Sequence, residues 1–281
     1  MSNKRKPPTK TQTKTQMSRR TAAVALSGKT LERDLAAVAD PERAQLLQRF
    51  FKTGKGEYGE GDRFLGISVP LQRKIALRHS ALTFAELSRL LGSAVHEHRF
   101  AALEILVAQY EQADERLREE IVSFYLQHAK RMNNWDLVDT SAPYLLGEYL
   151  LARPRDLLDT LAGSGNLWER RIAMVSTLAL IRRGETKDTF RIAKKLLVDE
   201  HDLIHKAVGW ALREAGKVSR PELLSFLARN YASMPRTTLR YAMEHFPAAQ
   251  RKQMLKGIFD GNGMDGMVRG QKSKVKKRRG R

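Results

Sequence analysis

Cysteine is absent from the 281 residues of this chain, which excludes disulfide bonds and thiolate ligands for metal ions. This absence suits a reducing compartment, where disulfides are rare. Long apolar runs are missing as well, because no stretch approaches the roughly 20 apolar residues of a membrane helix. The run from Ala22 to Leu26, after Ser18-Arg19-Arg20, is too short for the hydrophobic region of a secretory signal. We therefore predict a soluble cytoplasmic protein, associated with the nucleoid if it is bacterial, without a metal ion or cofactor.

Acidic residues are missing from both ends of the chain. Residues 1–20 contain seven Lys or Arg, and residues 269–281 contain eight. The intervening segment has 36 basic and 31 acidic residues, so most of the formal net charge of +20 lies at the ends. A basic segment is a salt-sensitive tether for polyanions and does not read base sequence. Solubilisation or association with RNA explains such segments as well as a role specific to DNA does.

The ends also lack periodic apolar residues, and we predict disorder for residues 1–29 and 260–281. Between them, from Pro70 to Phe259, nearly everything fits amphipathic helices with short joints and no alternating strand. Residues 53–61 hold four glycines, which predict a flexible surface loop. Their spacing does not fit a phosphate-binding loop, whereas a loop that orders on nucleic acid is an alternative. The folded domain is therefore predicted to span residues 30–259.

Five helical segments recur at intervals of 36, 36, 34 and 35 residues. A solenoid stacks equivalent positions into a ladder. The sequence therefore predicts an all-α, HEAT-like helical-repeat solenoid with a concave basic face, on which the shared position forms a basic stripe with one aromatic member. The residues at that position are Arg99, Trp135, Arg171, His205 and Arg240.

One part of this ladder combines an aromatic ring, an acid and a base. Trp135 and Asp139 are four residues apart, so a helix presents both on one face. If the repeats stack, Arg171 lies beside them, where it suits bidentate binding of a phosphate. An ion pair between Arg171 and Asp139 that merely holds the stack together is the competing and compatible interpretation. Asp136 is predicted to point elsewhere and to cap or pair within the array.

Three segments carry a resemblance when taken in order. They read N-W-D-L-V-D at residues 134–139, L-W-E-R-R-I-A at 167–173 and A-V-G-W-A-L-R-E at 207–214. Together they resemble the AlkD family of DNA glycosylases, HEAT-like-repeat enzymes that excise N-alkylated purines. The resemblance extends from about Leu31 to Phe259 and leaves out both basic ends.

The resemblance implies roles for particular residues. Asp139 corresponds to the catalytic carboxylate, Trp135 and Trp210 to the tryptophans of the active site, and Arg171 to its arginine. A tyrosine that lines the family's lesion site corresponds to Phe50, which keeps the ring and loses the hydroxyl. The glycine-rich loop that follows is longer than in compact members of the family. The residues expected to contact DNA are Phe50, Arg99, Lys206, Arg236 and Arg240.

The implied activity is hydrolysis of the N-glycosidic bond of cationic N3- or N7-alkylated purines in duplex DNA. The product is an abasic site, without a lyase step, and the resemblance also implies tolerance of bulky adducts. The expected partner is double-stranded DNA carrying such purines, bound by a monomer. Two alternatives remain open at this point: a non-catalytic HEAT-repeat protein that binds distorted or branched DNA, and a protein-binding scaffold.

Overall fold

The computed structural model describes residues 27–259, which form α-helices with short connections and contain no β-strand. An isolated bridge joins Arg63 to Val95. The α-helices of this range are α1 (Gly28–Ala36), α2 (Pro41–Phe50), α3 (Val69–Arg78), α4 (Phe84–Leu91), α5 (His96–Gln112), α6 (Glu115–Gln127), α7 (Trp135–Ser141), α8 (Asp156–Ala162), α9 (Leu167–Arg182), α10 (Lys187–Leu196), α11 (Asp202–Val218), α12 (Arg220–Asn230), α13 (Arg236–Ala242) and α14 (Ala248–Met254).

The helices form two rows, and this confirms the predicted all-α helical-repeat fold. Helices α3, α5, α7, α9, α11 and α13 pack consecutively against one another in an inner row. The outer helices α4, α6, α8, α10 and α12 pack on the inner helices next to them in sequence. Contacts between the first turns of neighbouring inner helices, such as Thr238 to the carbonyl of His205, show that these helices run parallel. The beginnings of the inner helices therefore line one edge of the array.

Several helix starts follow the chemistry expected of them. Thr83 and Asp114 accept hydrogen bonds from the first turns of α4 and α6, as the capping pattern predicts. Pro221 lies in the first turn of α12, and Pro247 directly precedes α14. Ser27 caps α1, which begins at Gly28, two residues before the predicted domain boundary. Disorder was predicted for residues 1–29 and 260–281: residues 27–29 form the cap and first turn of α1, and residues 1–26 and 260–281 lie outside the described residues.

Helix α7 continues after Ser141 as an irregular turn, because Pro143 has no amide hydrogen to extend the regular helix. Residues Pro143–Gly147 form a π-helical turn, in which the amide of Gly147 donates to the carbonyl of Ala142, five residues back, at 2.9 Å. A Cβ on Gly147 would lie 2.5 Å from the carbonyl oxygen of Ser176 on α9. Glycine is required there, and the far end of the α7 segment is held directly against the α9 backbone.

The apolar core runs continuously between the two rows, and its buried aliphatic side chains come from nearly every helix. Leu31 and Leu35 anchor α1 to it with no exposed surface, as their spacing predicts. Val38, seven residues after Leu31, is 38% exposed because α1 ends at Ala36. Among residues 27–259, no helix combines the length and the apolar character needed to cross a membrane.

The glycine-rich loop is a chain of turns closed by its own hydrogen bonds, while its flexibility stays a prediction. The carboxylates of Glu57 and Glu60 accept hydrogen bonds from the amides of Gly54 and Gly56, each at 2.9 Å. The amide of Asp62 donates to the carbonyl of Gly59 at 3.0 Å. Composition predicted flexibility because glycine alone favours it, whereas the acids interleaved with the glycines supply the acceptors that fix the turns.

Candidate active site

Asp139 and Arg171 form a bidentate ion pair across α7 and α9. Arg171 donates from Nε to one carboxylate oxygen at 2.9 Å and from Nη2 to the other at 2.7 Å. Its Nη1 donates to the carbonyl of Leu203 on α11 at 2.6 Å. The pair therefore ties three consecutive inner helices together at one level of the array, as the stacking of the ladder predicted.

The carboxylate of Asp139 is only partly shielded from solvent. Its side chain is 19% exposed, against 5% for that of Arg171. Burial raises the pKa of Asp139, while the charge and hydrogen bonds of Arg171 act in the opposite direction. The acid is thus held in one orientation and still has an edge that a bound group can reach.

Trp135 begins α7 and lies one turn before Asp139. The side chain of Asn134 caps the helix by accepting a hydrogen bond from the Trp135 amide at 2.8 Å. The half-buried indole packs beside Phe51, with ring centroids 5.3 Å apart, and meets Phe50 edge-to-face at 6.2 Å. Phe50 is 63% exposed, so the structure brings two of the predicted site residues, Phe50 and Trp135, together at the surface.

A buried network of charges lies behind Trp135. His96 donates from Nε2 to Asp136 at 2.8 Å, which confirms that Asp136 pairs within the array. Arg99 lies 2.7 Å from the carboxylate of Asp62, to which Asn133 also donates at 2.8 Å. The network joins the end of the glycine-rich loop to the first turns of α5 and α7.

The charges of this network support one another. Burial alone would lower the pKa of His96, but Asp136 and Asp62 raise it to about 9, so the imidazole is cationic at neutral pH. Burial would likewise raise the pKa of Asp62, but His96, Arg99 and Asn133 lower it. Two cations and two anions therefore balance inside the protein, directly behind the residue that begins α7.

Trp210 lies further along α11 and is half-buried. Among the described residues, no hydrogen bond or aromatic pair joins it to Trp135, Asp139 or Arg171. A Cβ on the preceding Gly209 would lie 2.4 Å from the Cβ of Tyr241, so that glycine permits the close packing of α11 and α13. The third segment of the resemblance thus has a packing reason of its own.

The predicted basic stripe is not a stripe of exposed charge. Arg99 is 3% exposed and Arg171 is 4% exposed, and both are paired with buried or half-buried acids. His205 directs Nε2 to the carbonyl of Asp199. Arg99, predicted to contact DNA, is buried against Asp62, a residue of the loop outside the helical repeat, and this burial disfavours that contact.

Three other predicted DNA contacts are more accessible. Lys206 is paired with Asp202 at 2.7 Å within α11. Arg236 is exposed and donates to the carbonyl of Leu255 at 3.0 Å. Arg240 is exposed, and among residues 27–259 no acid pairs with it. Arg236 begins α13, where the helix dipole adds positive potential, whereas Arg240 lies in the last turn of that short helix.

Sequence reasoning missed Tyr58. This tyrosine lies on the glycine-rich loop and meets Trp168 edge-to-face, with centroids 6.0 Å apart. Burial raises the pKa of its phenol, and the neighbouring Trp135 and Arg171 oppose that rise. A tyrosine amid glycines and acids was the available signal, but nothing in the repeat pattern relates the loop to α7 and α9.

The arrangement combines an aromatic surface with an oriented carboxylate one helical turn away. An exposed aromatic face attracts a cationic ring, and a carboxylate stabilises positive charge that develops close to it. Arg171 keeps the acid in place without covering it fully. The site can therefore bind a cationic group and stabilise a cationic transition state.

Comparison with known families matches residues 31–246 to the model of the DNA alkylation repair enzyme family. The match covers well over half of the chain and includes Trp135, Asp139, Arg171 and Trp210. A search of curated proteins found no match.

Two solved structures are similar to this chain. One is a protein from Enterococcus faecalis, described as a predicted DNA alkylation repair enzyme, with a TM-score of 0.58 and 17% identity; the alignment covers 75% of this chain and 97% of that one. The other is AlkD2 from Streptococcus mutans, with a TM-score of 0.47 and 19% identity, covering 79% and 98%. At these identities the first structure supports the fold alone.

Proposed function

Because the chain belongs to the family of DNA alkylation repair enzymes, we propose that it is a DNA glycosylase for cationic alkylpurines. The proposed reaction hydrolyses the N-glycosidic bond of an N3- or N7-alkylated purine in duplex DNA. It leaves an abasic site and includes no lyase step. The observation that supports it most directly is the partly exposed Asp139, oriented by Arg171 one turn from the indole of Trp135.

The chemistry needs few groups. When an N3- or N7-alkylated purine leaves, the base departs neutral and positive charge develops on the deoxyribose. Asp139 stabilises that charge and orients the water that attacks the anomeric carbon. No general acid is required, whereas ordinary glycosidases use two carboxylates. One acid is therefore enough for this substrate class.

The aromatic residues are proposed to hold the lesion. The faces of Trp135 and Trp210 attract a cationic nucleotide, with a contribution of about 0.5–2 kcal/mol each. Arg171 acts on the reaction through Asp139, whose position it fixes. Phe50 extends the surface beside Trp135, and Lys206, Arg236 and Arg240 are proposed to bind phosphates along the edge formed by the helix beginnings.

The charge of the lesion should decide which bases are released. We expect release of 7-methylguanine and 3-methyladenine from a duplex, and little release of the uncharged lesions hypoxanthine and ethenoadenine, because a neutral lesion lacks both the attraction to the indoles and the good leaving group. Chromatography of the released bases, with protein-free duplex as the background, measures this directly. Strand breaks should appear only after alkali treatment.

Efficient release of the uncharged bases would contradict the proposed roles of the tryptophans. Binding without release of any base would instead favour a non-catalytic protein for distorted or branched DNA. One observation favours that alternative: all three guanidinium nitrogens of Arg171 are engaged inside the protein, as in a purely structural ion pair. The same assay therefore separates the two functions.

The basic ends should contribute to the affinity for DNA and not to the excision reaction. Deleting residues 1–20 and 269–281 removes fifteen positive charges. We expect weaker non-specific binding and a shallower dependence on salt, with each lost phosphate contact lowering the logarithmic slope by about 0.9. Titrations of an undamaged duplex at several salt concentrations measure both quantities.

Single-turnover excision by the shortened protein at saturating concentration should be nearly unchanged. If the shortened protein binds damaged duplex to saturation and still fails to release the base, the ends take part in the reaction and the proposed division of the chain is wrong.

A further inference from the structure

The glycine-rich loop is built to hold one side chain in a fixed place. Gly56 and Gly61 have φ of +80° and +84°, a backbone region that favours glycine. A Cβ on Gly59 would lie 2.8 Å from the carbonyl oxygen of Phe51, so this position also requires glycine. Tyr58, directly before Gly59, is the large side chain that these turns present.

The loop is fastened to the helices that carry the candidate active site. At its end, Asp62 accepts a hydrogen bond from Asn133 at 2.8 Å, two residues before Trp135. The side chain of Gln48 donates to the carbonyl of the same Asp62 at 2.5 Å. The amide of Gly59 donates to the carbonyl of Lys52 at 3.2 Å and closes the loop on itself. Tyr58 is therefore fixed relative to α7 by the turns of the loop and by the hydrogen bond between Asn133 and Asp62.

Tyr58 occupies the junction between two helices of the site. Its ring meets that of Trp168, the second residue of α9, edge-to-face. The next residue, Gly59, packs against the backbone of Phe51, whose ring lies 5.3 Å from that of Trp135, the first residue of α7. The ring of Tyr58 is half-buried and packs on the apolar core. Tyr58 therefore lies where the first turns of α7 and α9 meet, on the same side as the Phe51 ring that packs beside Trp135.

We propose that Tyr58 is a specificity-determining residue, whose ring limits the size of the alkyl group on a purine bound at Trp135. A substituent that extends toward the loop has to displace the ring, and the ring is held by turns that do not yield easily. The inference rests on the proposed glycosylase function and restricts the tolerance of bulky adducts that the resemblance implies.

Substitution at Tyr58 should change selectivity more than it changes activity. The substrates are duplexes with a single 7-methylguanine or a single 7-benzylguanine, and each single-turnover rate is divided by the spontaneous loss from the same duplex. For Tyr58→Ala we expect the benzyl-to-methyl ratio to rise by about tenfold or more, since steric pockets discriminate on that scale. The ratio cancels any difference in the fraction of folded protein.

Two further variants separate the ring from general effects. Tyr58→Phe keeps the ring, so its ratio should stay within about twofold of the unaltered protein's. Tyr149→Ala removes a tyrosine that packs under Arg153, outside the helices of the candidate site, and it should leave the ratio unchanged.

The outcomes are distinct. An unchanged ratio in Tyr58→Ala overturns the proposal, as does an equal shift in Tyr58→Phe, which would assign the effect to the hydroxyl. If the unaltered protein releases both bases while Tyr58→Ala keeps their ratio, only the role of Tyr58 fails. If the unaltered protein releases neither base, the proposed function fails, and this inference fails with it.

Discussion

Replacing Asp139 with Asn should lower the single-turnover excision of 7-methylguanine by about 100-fold or more. The amide keeps the shape of the carboxylate and still accepts a hydrogen bond from Arg171, but it cannot stabilise the cationic sugar. Binding to damaged duplex should persist or tighten, because a negative charge near the phosphates is removed. Base release at saturating protein and fluorescence anisotropy of labelled duplex measure the two effects separately.

The control is Asp156→Asn, an exposed acid in the first turn of the outer helix α8, which should leave excision within about twofold. Thermal unfolding by circular dichroism verifies that the Asp139 variant is folded, since its Arg171 loses a full charge partner. Near-normal excision by folded Asp139→Asn would exclude the acid as the catalytic carboxylate and leave its ion pair a purely structural role.

Replacing Arg99 with Ala should destabilise the fold by about 3–5 kcal/mol, the usual cost of leaving a buried charge without its partner. Arg99 is 3% exposed, and its guanidinium lies 2.7 Å from Asp62, which is itself 4% exposed. Removing the arginine leaves Asp62 with His96 and Asn133 only. Urea-induced unfolding followed by circular dichroism measures the loss.

Arg240→Ala provides the matched control, because this arginine occupies the equivalent position of a later repeat and is exposed. Its stability should change by less than about 0.5 kcal/mol, as for most surface substitutions, while its affinity for duplex falls. The reverse pattern, with Arg99→Ala stable and weak in DNA binding, would restore the surface role predicted from the ladder.

The sequence predicted the contacts that arise from the stacking of equivalent repeats. Equal spacing placed Arg171 beside Asp139, because stacked repeats bring equivalent turns together regardless of their detailed side chains. Prolines in the first turns of α2 and α12 and directly before α14 favour those helix starts for a similarly local reason. The catalytic and DNA-binding roles of these residues stay predictions, since geometry alone does not test them.

The contacts that the sequence did not predict involve one irregular segment, the glycine-rich loop. Its order comes from its own glutamates and from Asn133, which lies 71 residues beyond Asp62 in sequence. Periodicity carries no information about such a contact, so Arg99 was assigned to the surface when its partner lies in this loop. Tyr58 was missed for the same reason. A helical-repeat pattern describes contacts between repeats and is silent about an insertion that packs across them.

The π-helical turn at Pro143–Gly147 gives the orientation of Asp139 a second determinant. Such a turn contains one residue more than a regular α-helix, and one residue corresponds to about 100° of rotation about the helix axis. Gly147 is fixed against the carbonyl of Ser176, so the rotation is expressed toward the beginning of the segment. A regular helix ending at the same glycine would turn Asp139 away from Arg171. The extra residue of this turn, two turns beyond Asp139, therefore contributes with Arg171 to the direction in which the acid points.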